Sequence, residues 1–201
     1  MVLGVNTTKL FYRINKLLVV KTAAKMLCVA VGMAVTCLGC EKAETQPVFE
    51  YRFQTLNQQG QAATVFAEGE NVVFRLAVTN KSNEDWFIDH TIFYNDDFMK
   101  VHRLADANAS GRMVGRPFKR VTCTLQTGIN VEKGQTVTVQ IPWLYDKSLF
   151  QIPSCFVDIT DNAAFQKGKY KTGINSSFRI FKGNTTFTTD RVKYEIVFDV
   201  R

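Results

Sequence analysis

The chain has 201 residues, a formal charge of +7, and 16 phenylalanines within a 46% hydrophobic composition. Five bases (Lys9, Arg13, Lys16, Lys21 and Lys25) and no acids lie in the first 40 positions, which leaves 20 bases against 18 acids in the remainder. A domain so nearly balanced gives no electrostatic case for nucleic-acid binding, and about 160 residues suffice for a single domain with a sizeable core.

Residues 1–25 are basic and irregular, and Met26 to Leu38 form an uncharged apolar run, MLCVAVGMAVTCL. Thirteen residues are short for the roughly 30 Å of a bilayer's hydrocarbon. A basic region followed by a short apolar stretch and small residues reads as a secretory signal, here residues 1–39. The junction Cys37-Leu38-Gly39-Cys40-Glu41 resembles the lipobox of bacterial lipoproteins. That resemblance implies cleavage before Cys40, whose thiol would carry a diacylglycerol. An uncleaved anchor helix and an ordinary cleaved signal are the alternatives, and all three place the domain outside the cytoplasm. Acyl chains add ~0.8 kcal/mol per buried CH₂, so two or three of them hold a protein on a membrane. Residues 40–47 then serve as a polar tether.

Beyond the tether the period is two. Residues 48–56 alternate with Phe49, Tyr51 and Phe53 on one side, a turn follows over 57–61, and Ala62–Phe66 is a short edge strand. Glu68-Gly69-Glu70 opens the clearest early strand, with Val72, Phe74, Leu76 and Val78 on one face, closing at Asn80. Further strands are expected at Trp86–Phe93 and Phe98–Leu104. Residues 105–120, with Gly111, Gly115 and Pro117, show no period and read as a long loop. A short piece at 121–125 precedes the Lys133-Gly134-Gln135 turn and a strand with Val137, Val139 and Ile141 inward, ended by Pro142. A second irregular stretch covers 143–165. Strands at 170–178 and 191–200 complete the chain. No amphipathic helix of useful length follows residue 40. Seven to eight short strands with polar turns predict an all-β fold, an immunoglobulin-like antiparallel β-sandwich over residues 48–201.

Three turns, Glu68-Gly69-Glu70, Lys133-Gly134-Gln135 and Lys167-Gly168-Lys169-Tyr170, recur in this order before alternating strands. In that respect the chain resembles the BsuPI-type proteinase inhibitor family and related immunoglobulin-like domains of bacterial lipoproteins. The resemblance implies the sandwich fold over about residues 49–200 and, as one functional expectation, inhibition of a secreted proteinase.

Few residues carry chemistry. With Cys28 and Cys37 lost with the signal and Cys40 acylated, Cys123 and Cys155 remain, and an oxidising compartment favours a bridge between them over two buried thiols. Such a bridge would close a loop of 33 residues and stabilise by ~3–4 kcal/mol in the chain-entropy model. His90 and His102 would approach each other across a hairpin, but their spacing fits no zinc signature and exposed hairpin positions are the expectation. Asp158-Ile159-Thr160-Asp161-Asn162 reads as turn chemistry rather than a calcium loop. Trp86 and Trp143 either pack in the core or offer ring platforms for a sugar. Arg112, Arg116, Lys119 and Arg120 form a local basic group on the expected loop, and together with Trp143 they are the candidate binding residues. No nucleophile elbow, phosphate loop or metal motif is present.

The sequence thus predicts a non-catalytic binding or structural module without metal or cofactor. It is lipid-anchored at a bacterial envelope, outer membrane or cell surface. Its working surface would be 105–120 and 143–165, facing a protein or glycan partner and not nucleic acid. A proteinase inhibitor and a glycan-binding or glycan-active protein are the alternatives. Mass spectrometry of the mature product should find an N-terminal Cys40 bearing diacylglycerol; a cytosolic product that still begins near Met1 would overturn the signal reading.

Overall fold

A computed structural model describes residues 46–201, apart from 95–96, 106–107, 124–127 and 154. The signal segment and Cys40 lie outside the described residues. The fold is all-β. Fourteen strands run in chain order: β1 Phe49–Leu56, β2 Val65–Phe66, β3 Val73–Asn80, β4 Trp86–Ile88, β5 Val101–Ala105, β6 Asn108–Gly115, β7 Phe118–Cys123, β8 Ile129–Val131, β9 Thr136–Pro142, β10 Cys155–Ile159, β11 Gly168–Ser176, β12 Arg179–Lys182, β13 Thr185–Thr188 and β14 Val192–Val200. Among the described residues the only helical pieces are single 3₁₀ turns at His90–Tyr94 and Lys147–Leu149.

The strands form a three-stranded sheet (β1-β3-β9), a five-stranded sheet (β2-β14-β11-β5-β6), a four-stranded sheet (β13-β12-β4-β8) and a two-stranded ribbon (β10-β7). All pairings are antiparallel except β2 with β14. Strand β3 is central in its sheet, and its alternation is realised as expected. Val72, Phe74, Leu76 and Val78 are buried, while Arg75, Ala77 and Thr79 are only half-buried. Across the sandwich, Tyr170, Thr172 and Ile174 of β11 and Phe198 and Val200 of β14 are buried. Between the sheets the ring of Phe53 lies 6.5 Å from that of Tyr194, and the Tyr194 hydroxyl donates to the Tyr51 carbonyl.

A column of rings crosses the core from one sheet to the other. Phe74 meets Trp143 edge-on at 6.4 Å, and Trp143 stacks on Phe165 at 4.3 Å. Phe165 in turn touches Tyr170 at 4.8 Å and Phe198 at 5.4 Å, and Phe198 meets Phe66 at 5.6 Å. Such offset and edge-on pairs add about 0.5–1.5 kcal/mol each beyond the apolar area they bury.

Two asparagines pin the ends of β3. Asn71 exchanges two hydrogen bonds with the backbone of Leu144, at 2.9 and 2.8 Å. Asn80, fully buried, donates to the Glu84 and Val131 carbonyls and accepts from the Ser82 amide and hydroxyl. A buried amide is tolerable only with its partners supplied, and here they are.

The structure has more strands than the alternation pattern shows, for local reasons. Residues 105–120 are not one loop but most of β6 and β7. Gly111 has φ +68°, and a Cβ there would sit 2.8 Å from the Arg103 carbonyl oxygen; the β5–β6 register shifts on either side. A bulge of this kind erases period-2 patterning while keeping the strand. Conversely, the strand expected over 86–93 stops at Ile88. The Asp89 carboxylate accepts from the Thr91 amide at 2.9 Å and turns the chain into the 3₁₀ segment.

Trp143→Ala should cost about 3–5 kcal/mol in chemical unfolding. Trp143→Phe should cost less, because it keeps one stacking ring while losing the second ring and the indole N–H bond to Ala163.

Candidate functional site

The sequence-predicted binding residues occupy several elements. Arg112 is exposed on β6, directly opposite Arg103 on β5. Two guanidinium groups at facing positions repel, and Arg103 is turned to other partners: it donates to the Lys167 carbonyl at 2.9 Å and lies 5.9 Å from the Tyr170 ring centre. Arg116 lies over the Phe118 ring at 4.8 Å. Lys119 and Arg120 are successive exposed residues of β7, at the bulge where the β7–β10 register shifts. The four cations are thus divided between two strands and the turn joining them.

Trp143 requires a correction, because it is 1% exposed. Its indole N–H donates to the Ala163 carbonyl at 2.8 Å and its ring lies in the core column, so no face is free for a partner. Asn162, read in the sequence as part of a turn, donates to the Arg116 and Trp143 carbonyls and fastens the 143–165 stretch to the β6–β7 connection. The two histidines do not share a hairpin: His90 follows β4 in the four-stranded sheet, and His102 lies on β5 in the five-stranded sheet. Among the described residues no three metal-ligating side chains gather.

The expected disulfide is present. Cys123 and Cys155 face each other across β7 and β10, with Cα atoms 4.0 Å apart and the sulfurs bonded. This ties the 143–165 stretch to the short piece expected at 121–125. On the ribbon, Val121 pairs with Val157 next to the bridge, whereas Thr122 pairs with Phe156 and Arg120 with Asp158 on the other face. Phe156 is 70% exposed, which is unusual for so large an apolar side chain. Each ribbon strand has the other as its one ladder partner among the described residues, so each presents an unpaired edge.

A second feature lies on the outer face of the five-stranded sheet, where a cleft of about 260 Å³ opens over the middle of β11. Its floor is Gly173, where a Cβ would lie 2.2 Å from the Tyr194 carbonyl oxygen, so no other residue fits. Lys171 and Asn175 stand on either side along β11, and Lys193 and Glu195 come from β14. His102 sits opposite Lys171, and Asp97 and Lys100 enter from the segment before β5. Lys171 pairs with Glu195 at 3.5 Å and Lys100 with Asp97 at 3.7 Å. Burial, then Lys171 and Lys100, push His102 below the ordinary imidazole value, against a smaller opposing pull from Asp97. Nothing in the alternation pattern marks this cleft, since its residues are outward positions on strands far apart in sequence.

Fold and surface together define a disulfide-stapled β-sandwich with an exposed ribbon and a charged cleft. No family model and no curated relative matches the chain. Among solved structures it is similar to a β-glucosidase from Listeria innocua, crystallised with gluconolactone, at 14% identity and a TM-score of 0.28. That match covers 77% of this chain and 16% of the enzyme, and a likeness so distant carries no argument about activity. Among the described residues no helix is long and apolar enough to cross a membrane.

The lowered His102 value has a defined sign. The unfolded chain takes up the imidazole proton first, so folding stability falls as pH drops below about 6.5 and levels off once the folded form protonates. Thermal unfolding between pH 7.5 and 5 should show this fall in the native chain and a flatter profile in His102→Gln.

Proposed function

We propose that this chain is a non-catalytic binding module of a bacterial envelope. It is tethered through lipid on Cys40 and displays the 48–201 domain outside the cytoplasm to a protein or glycan partner. The observation that carries this reading is Phe156, 70% exposed on a ribbon cross-linked by Cys123–Cys155. A large ring on a stapled strand loses little conformational freedom on binding, and rigid aromatic anchors of this kind dominate interface energies. The disulfide also accords with an oxidising compartment. The working surface is narrower than the loops 105–120 and 143–165, because Trp143 and Asn162 are used internally.

A proteinase inhibitor is the second reading, favoured by one feature. β10 offers Phe156 from an extended segment, next to a disulfide and with an unpaired edge. A proteinase could add that edge to its own substrate-binding strand.

A photo-crosslinker at position 156 in intact cells should give a discrete adduct with one envelope component. Phe156→Ser should weaken capture of that component at least tenfold with native unfolding behaviour. No adduct, or unchanged capture by the variant, would remove the ribbon as the working surface. Loss of activity of a chymotrypsin-like proteinase on titration with the domain, abolished by the same substitution, would select the inhibitor reading.

A further inference from the structure

The cleft on the outer face of the five-stranded sheet is separate from the ribbon, and several unusual features of the fold meet there. Gly173 leaves a gap in the row of outward side chains on β11, between Lys171 and Asn175, that steric contact with Tyr194 keeps open. Met99, with φ +56°, is the one non-glycine residue of left-handed backbone among those described. That conformation is unfavourable for a side chain with a Cβ and persists only when its surroundings fix it. Here the Met99 side chain is fully buried and its amide donates to the Gly173 carbonyl at 3.0 Å, which sets the adjoining Lys100 at the cleft.

The charges point to a ligand class. Lys100, Lys171 and Lys193 against Asp97 and Glu195 give a surplus of one positive charge, and among the described residues Lys193 forms no ion pair. The lysine side chains of the two pairs are 24% and 23% exposed, so their ammonium groups are held in place rather than loose in solvent. The two carboxylates accept hydrogen bonds, which hydroxyl groups can supply. No phenyl, phenol or indole face serves as a platform for a neutral sugar, since beside the His102 imidazole the one ring among the lining residues is that of Tyr194, which directs its hydroxyl to the Tyr51 carbonyl inside the sandwich. The volume, about 260 Å³, is of single-ring size rather than that of an extended chain.

We propose that this cleft binds a sugar acid, a monosaccharide-sized ligand with one carboxylate and several hydroxyls. Its carboxylate lies against Lys193 and Lys100, and its hydroxyls against Glu195 and Asp97. This goes beyond the ribbon reading and does not depend on it.

Calorimetric titration of the full chain, purified in detergent, with glucuronate tests the assignment. Saturable binding is expected, at least tenfold tighter than that of glucose, which lacks the charge, of acetate, which lacks the hydroxyls, or of inorganic phosphate. Lys193→Gln and Lys100→Gln should each weaken it at least fivefold, while Lys169→Gln, on the same strand outside the cleft, should not. Phe156→Ser should bind glucuronate as the native chain does, so this proposal and the ribbon reading fail separately. Absence of saturable glucuronate binding, equal binding of glucose, acetate or phosphate, or native affinity in both cleft variants would overturn it.

Discussion

The column of rings from Phe74 through Trp143 and Phe165 to Tyr170 and Phe198 is the contact on which the sandwich depends. Each sheet alone would leave an apolar face in water, and the column is where the two faces interlock. Its middle member, Phe165, lies on no strand. The irregular 143–165 stretch is therefore built into the core at both of its own ends. The Trp143 hydrogen bond to Ala163 and the Asn162 bonds to two carbonyls fix its path. A stretch without periodicity can thus be among the more constrained parts of a β-domain, because burial and hydrogen bonding act on it where the ladder does not.

With the core held this way, the surface is shaped by departures from regular strand geometry. The ribbon extends from the sheets with a covalent bridge on one face and Phe156 on the other. The cleft exists because one strand position can hold only glycine and a neighbouring turn needs a left-handed Met99. Both are costs to folding that a purely structural domain of this size could avoid, and strain of this type concentrates where a surface is used.

Much of the architecture was legible in the residues. Val72 to Val78 alternate because one face of β3 is buried and the other is not, and β14 follows the same logic at lower burial. The bridge could be read because Cys123 and Cys155 are the two cysteines within residues 48–201. The β6 strand could not be read, because Gly111 accommodates a bulge that breaks the period. The end of β4 could not either, because a single side-chain bond from Asp89 diverts the backbone. The candidate site was legible only in part. The sequence grouped Arg112, Arg116, Lys119 and Arg120 by proximity along the chain, but the fold divides them between β6, β7 and the turn joining them. It left Trp143 between core and surface, and a full shell of aromatic and backbone partners places it inside.

By itself the sequence determined an all-β chain with two layers and one bridge. Period-2 hydrophobicity and cysteine arithmetic are local signals that need no partner to be read. The tertiary structure alone decided which outward residues meet. Lys100 and His102, Lys171 to Asn175, and Lys193 to Glu195 come together only because β5, β11 and β14 are laid side by side in one register. Sheet neighbours are set by the packing of whole faces, and no residue along the chain records which strand will lie beside it.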